Sequence, residues 1–271
     1  MLLGAFTALG QAQPSASPAP PALENSGKPM VLPYRCTLDD IQWAGLSCSE
    51  DEPCPIYLEL SAAESSGARL FVAGNIHSST VTLYSVLLGS EDSGHTWREA
   101  HARIRGADLD HIQFFDTATG WAGGEVLFPL AEDPFLLFTG DGGRTWRQRP
   151  IFGEASNGSL VEFRFTSRTS GNVILDRGAG NGRERYALYE SPDGGETWAF
   201  RQENDRPLHL APAAGQAAAP SPGWRVRADG PTQAFHIERL EGERWSGVAA
   251  FSVKLNACKP PEPPPEPPPA P

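Results

Sequence analysis

The sequence has no run of about 18 consecutive apolar residues, so no segment reads as a membrane-spanning helix. It has no basic excess either. Its 22 Lys and Arg stand against 33 Asp and Glu, for a formal net charge of −11 and a pI near 5.0. A nucleic-acid partner needs a basic face to neutralise phosphates, and an anionic membrane surface needs the same, so both are excluded as partners. Stretches with a 3.6-residue apolar period are missing, which argues against a helical fold. There is no Cys-x-x-Cys pair, and the six histidines, at 77, 95, 101, 111, 209 and 236, show neither His-x-His nor His-x-x-x-His spacing. No Gly-x-Ser-x-Gly elbow occurs, which removes the commonest serine-hydrolase signature. The segment Asp141-Gly142-Gly143 lacks the Asp ladder and distal Glu of a calcium loop. The glycine-rich Gly178-Ala179-Gly180-Asn181-Gly182 opens no helix, so it reads as a hairpin turn rather than a phosphate cradle. No metal and no cofactor are expected.

Proline is abundant but uneven. Of 26 prolines, 6 precede Tyr34 and 9 follow Lys259. Such ends carry too little apolar surface to offset their ordering entropy, so residues 1–33 and 259–271 are expected to be disordered. The ordered domain is expected at 34–258. Residues 2–9 form a short apolar run, and Ala8-Leu9-Gly10 before Gln11 resembles a small-x-small cleavage site. All four cysteines, Cys36, Cys48, Cys54 and Cys258, lie at the edges of that domain. An even count placed there reads as two disulfides and hence an oxidising compartment. The expectation is an exported protein, periplasmic or secreted.

What the middle of the chain does have is repetition. Three segments read S/T-x-D-x-G-x-T-W: Ser90 to Trp97, carrying Asp92, Gly94 and Thr96; Thr139 to Trp146, carrying Asp141, Gly143 and Thr145; and Ser191 to Trp198, carrying Asp193, Gly195 and Thr197. The tryptophans are 49 and 52 residues apart, and a degenerate fourth copy ends at Trp245, another 47 residues on. An independent track, Gly67, Gly120, Gly171 and Gly223, repeats at spacings of 53, 51 and 52. Between these marks, alternating runs such as Val161-x-Phe163-x-Phe165 read as strands. Four short antiparallel strands per ~50-residue unit is the pattern of a propeller blade. The motif is intelligible as a turn. Hydroxyl and carboxylate accept backbone N–H groups, the glycine supplies positive φ, and the Trp packs on a neighbouring strand.

These segments resemble the Asp-box, or BNR, repeat of sialidase-type propellers. The stretch Gly120-Trp121-Ala122-Gly123-Gly124, followed by Phe138 to Trp146, is closer still to photosystem II assembly factor-type propellers. The resemblance implies an all-β, propeller-like array of about four four-stranded blades, with units near 34–99, 100–148, 149–200 and 201–257. It also implies that the Asp-box residues are structural, since in those families the box lies away from the ligand face. The relatives have six or seven blades. Residues 247–255 and 34–47 therefore stand as pieces that close the ring, leaving four blades or a composite fifth. Sialidase chemistry needs a Phe/Tyr-Arg-Ile-Pro arginine and a Tyr-Glu pair. Neither Ala102-Arg103-Ile104-Arg105 nor Gln148-Arg149-Pro150-Ile151 fits, and no catalytic residue is assigned.

Because a propeller brings its chain ends together, Cys36–Cys258 and the short-loop pair Cys48–Cys54 are the expected bridges. The pairings Cys36–Cys48 with Cys54–Cys258, and Cys36–Cys54 with Cys48–Cys258, remain alternatives. Arg103, Arg105, Arg149, Arg164 and Arg168 form a candidate basic patch for an acidic partner. The function expected is a non-catalytic, protein-binding scaffold or assembly factor of the cell envelope. The alternative is a carbohydrate-binding or sialidase-like glycoside hydrolase module.

Overall fold

The computed structural model describes residues 22–127, 133–151, 158–178, 184–210 and 223–260. The apolar run at 2–9, the core of the glycine-rich loop, the low-complexity insertion at 211–221 and the proline tail beyond residue 260 lie outside these residues. Strand β1 (Leu23–Glu24) and helix α1 (Leu38–Ala44) come first. Then follow β2 (Cys54–Ser66), β3 (Arg69–His77), β4 (Thr82–Ser90) and β5 (Thr96–Glu99) as the first blade. The second blade is β6 (His111–Phe114), β7 (Gly120–Val126), β8 (Asp133–Thr139) and β9 (Arg147–Pro150). The third is β10 (Ser159–Phe165), β11 (Gly171–Asp176), β12 (Tyr186–Ser191) and β13 (Ala199–Asn204). The fourth sheet has three strands, β14 (Trp224–Asp229), β15 (Ala234–Glu241) and β16 (Arg244–Ser252). The last strand, β17 (Lys254–Cys258), returns to the first blade. All ladders are antiparallel. The fold is an all-β propeller array.

The alternating runs bury one residue set against each neighbour, which is what joins the blades. Between the first and second lie Phe71, Leu87, Leu109, Phe135 and Leu137. Trp121, Leu136, Phe163, Phe165 and Leu175 fill the space between the second and third. On the other side of the first blade, Leu58, Val72, Leu88 and Trp97 meet Ile237, Ala249 and Phe251 of the fourth. Trp121 stacks flat on Phe165, with centroids 3.7 Å apart and planes 2° from parallel.

The chain ends depart from expectation. Residues 22–33, read as linker, are packed on the first blade: β1 pairs with β5, and Met30 and Leu32 are buried. A few well-spaced apolar side chains outweigh a proline-rich composition here. Residues 34–47 add no strand. They hold α1, whose Thr37 and Asp40 form a capping box and whose C-terminus stops at left-handed Gly45. Residues 247–252 belong to β16, and β17 pairs along the start of β2, so no composite fifth blade forms. Two disulfides, Cys36–Cys258 and Cys48–Cys54, close the ends, each with Cα atoms 5.2 Å apart.

Candidate functional site

The three Asp-box-like turns share one geometry. In the second blade the Thr139 hydroxyl donates to Asp141 Oδ1 at 2.9 Å and accepts the Gly143 N–H at 2.8 Å. Asp141 also accepts the Thr145 amide at 2.9 Å and the Thr145 hydroxyl at 2.6 Å. Ser90, Asp92 and Thr96 repeat this in the first blade, and Ser191, Asp193 and Thr197 in the third. The Asp carboxylates are spent inside the turn. Hydrogen bonds from the Thr96 amide and hydroxyl hold Asp92 down at about 2. Burial opposes the shift at Asp141, yet the Thr145 and Thr139 bonds still hold it at about 2.

Each turn is also held from the neighbouring blade. Arg69 Nη1 donates to the carbonyls of Asp141 (3.2 Å) and Gly142 (3.0 Å). Trp121 Nε1 reaches the Gly194 carbonyl at 2.9 Å, and Arg149 reaches the same oxygen. Asn25 Nδ2 joins the Gly94 carbonyl to Val248 of β16. Glycine is required at this contact: Gly143 has φ 83°, and a Cβ there would sit 2.1 Å from the Phe71 ring. The turns are therefore clasps between blades.

The three motif tryptophans are not equivalent. Trp97 is fully buried, with its indole N–H on the Gly94 carbonyl at 3.1 Å and its ring edge-on to Phe251. Trp146 and Trp198 are half-buried. Trp146 keeps the corresponding bond, to Gly143 at 3.2 Å, whereas the buried Trp198 Nε1 has no acceptor among the described residues.

Each of the five arginines pairs with at least one carboxylate, Arg103 and Arg164 with one close in sequence and the others with one from a distant segment. Arg103 pairs with Glu99 at 2.7 Å, and Arg105 with Asp39 and Asp40 over the Trp43 ring. Arg149 is buried on the Phe138 ring, 3.6 Å from its centroid, and pairs with Glu196 at 2.8 Å. Arg164 pairs with Glu162 at 3.1 Å and Arg168 with Asp116 at 2.7 Å. On an acidic chain such neutralisation is the ordinary outcome.

The best concave candidate is one that sequence reasoning missed. A cavity of about 330 Å³ opens among the innermost strands, lined by Ala62, Asp110, His111, Gln113, Phe163 and Arg164. Asp108 and Glu125 lie close enough to Asp110, one of its lining residues, to feel that charge. Burial, then the nearby Asp110 carboxylate, pushes Asp108 up to about 7. Burial likewise raises Glu125. Raised carboxyls in a cleft are the usual mark of acid–base chemistry. Asp108 Oδ1 accepts the Glu125 amide at 3.1 Å while its carboxyl also bonds that of Asp110, and Glu125 Oε2 accepts the Leu160 amide of the next blade at 3.0 Å. Gln113 spans the same gap, with its side-chain amide bonded to both the N–H and C=O of Phe165 at 2.8 Å. No periodicity marks these residues in sequence, because the contacts join separate repeats. Among the described residues, no group of three or more His, Cys, Asp or Glu is arranged to hold a metal. Among the same residues, no helix is long and apolar enough to cross a membrane.

No family model matches the chain, and no curated protein does. Solved structures do. A structure described as YCF48 bound to D1 peptide is 17% identical, with a TM-score of 0.41, covering 72% of this chain and 54% of that one. YCF48 from Cyanidioschyzon merolae is 14% identical (TM-score 0.35; 72% and 56% covered). An endosialidase of phage phi92 is 11% identical (TM-score 0.41; 71% and 43% covered). The chain thus spans little more than half the length of the two YCF48 structures. Its own sheets make it an all-β chain of the propeller type.

Proposed function

We propose that this chain is a non-catalytic, exported propeller that binds a protein partner in the cell envelope, as a scaffold or assembly factor. One observation carries the reading. Asp108 and Glu125, the carboxyls with raised pKa near Asp110, each accept a backbone amide, within a blade and between blades respectively, and this supports a role in pinning the array. Glycoside hydrolysis needs two carboxyl groups flanking an open subsite, one protonated and one ionised. In the same reading the Asp-box residues Asp92, Asp141 and Asp193 are structural. The two disulfides are compatible with export. The purified protein is expected to release nothing from sialosides or aryl glycosides. Turnover abolished by a single carboxylate substitution would overturn the reading, as would failure of the tagged full chain to retain any envelope protein.

A further inference from the structure

Among the described residues, the fourth sheet has three strands where the second and third blades have four. In the second and third blades the second strand begins at the repeating glycine, Gly120 or Gly171, and pairs with an innermost strand before it. In the fourth, β14 begins directly after Gly223, so it too is a second strand, but among the described residues it has β15 on one side and no strand on the other. The pairing fixes which groups are left open. The Leu240 amide donates to the Gly223 carbonyl at 2.8 Å, so Gly223, Arg225 and Arg227 turn their backbone groups toward β15. Trp224, Val226 and Ala228 turn theirs to the side on which no strand lies among the described residues. Other inner edges are covered in part: β17 lies along the start of β2, and the Gln113 amide takes both backbone groups of Phe165 on β10. Native sheets cover or blunt open edges, which otherwise recruit another strand.

We propose that the open edge of β14 is a strand-addition site for an extended segment of another polypeptide, one that alternates acidic with small or apolar residues. This deepens the protein-binding reading and rests on it. The alternation follows from the two faces. On one, Arg225 and Arg227 share Glu238, at 2.6 and 3.1 Å, and Arg227 also reaches Asp229 at 3.8 Å, yet both side chains stay about two-fifths exposed, so an added carboxylate has a guanidinium to meet. On the other, the Trp224 indole bonds the Ser65 hydroxyl at 3.1 Å beside the first blade, which suits small side chains. Two of the chain's own segments next to the fourth sheet are poor donors to a ladder. Residues 211–222 contain Pro212, Pro220 and Pro222 and no carboxylate, and residues 260–271 contain nine prolines, each without an N–H. Strand addition gives affinity through main-chain bonds and selectivity through alternate side chains.

Residue-resolved hydrogen exchange on the full chain tests this, with a pool of peptides that alternate Val, Thr or Ala with Asp or Glu. Without peptide, the amides of Trp224, Val226 and Ala228 should exchange at least about tenfold faster than those of Arg225 and Arg227, and the pool should slow them. Val226→Pro deletes a donor that β15 does not use. It should weaken peptide binding about tenfold, the value of roughly one hydrogen bond, while far-UV dichroism stays unchanged. Slow exchange at these three amides without peptide would mean that the chain fills the edge itself, and would overturn the proposal. Unaltered rates with peptide, or undiminished binding by Val226→Pro, would overturn it too. An envelope protein retained equally by wild type and Val226→Pro would sink the edge site and leave the scaffold reading standing.

Discussion

Replacing Trp97 and Trp198 by phenylalanine should have different consequences, although the two residues occupy the same position of the same motif. Trp97 has no exposed surface, packs edge-on to Phe251 with centroids 5.4 Å apart, and spends its N–H on the Gly94 carbonyl. Trp97→Phe loses that hydrogen bond, about 1 kcal/mol, and leaves a small void costing about 1–2 kcal/mol. The total is about 2–3 kcal/mol. Trp198 is half-buried and its buried indole N–H has no acceptor among the described residues. Removing a buried, unsatisfied donor returns about 1–3 kcal/mol, which offsets the lost packing. Trp198→Phe should therefore lie within about 1 kcal/mol of wild type. Equilibrium urea unfolding, followed by far-UV dichroism with disulfides intact, measures both. Equal costs for the two variants would refute the reasoning, since it rests wholly on their different surroundings.

Asp141→Ala should cost about 1–2 kcal/mol in the same assay and remove no activity, because its oxygens serve only the Thr139 and Thr145 groups of one turn. Asp92 and Asp141 have folded-state values near 2, below the unfolded range, so their contribution is present above about pH 4 and is lost as pH falls toward 2. An acid titration should show this loss, and it should be smaller in Asp141→Asn. Asp108 has the opposite sign. Its value near 7 means the fold holds a proton that the unfolded chain releases, so its contribution worsens as pH rises from about 4 to 7. Asp108→Asn should gain stability relative to wild type between pH 5 and 8, by a thermal midpoint series. Removing the Cys36–Cys258 bridge, which spans 222 residues, should cost about 5 kcal/mol in the chain-entropy model, against about 2 for Cys48–Cys54, which spans 6.

What the sequence discloses is what each repeat does within itself. The Trp and Gly tracks locate the Asp-box-like turns and the starts of β7, β11 and β14, because turn chemistry and strand alternation are local. Information that passes between repeats is hidden. Arg105 finds Asp39, 66 residues back, and Arg149 finds Glu196, 47 residues on, pairings that no local spacing marks. The tryptophans diverge for the same reason: Phe251, from the far end of the chain, meets only Trp97. Helix α1 has seven residues, too few for a 3.6-residue period to register, although Thr37, Asp40 and Gly45 carried its capping signal.

The clasps give this division a physical meaning. A blade repeat encodes its own hairpin, but the carbonyls of its Asp-box-like turn are satisfied by a residue of the neighbouring blade or of the N-terminal segment: Arg69 for the second blade, Trp121 and Arg149 for the third, Asn25 for the first. Each clasp therefore counts only when two units are folded together, which couples neighbours as in other repeat proteins. The described fourth sheet has lost both features. Its degenerate turn, Leu240 to Trp245, lacks the Asp, and its second strand lacks an innermost partner. The chain compensates at this end by packing residues 22–33 and β17 against the first blade and by tying Cys36 to Cys258. Stability there comes from the chain ends together with Ile237, Ala249 and Phe251, which pack the fourth sheet on the first blade.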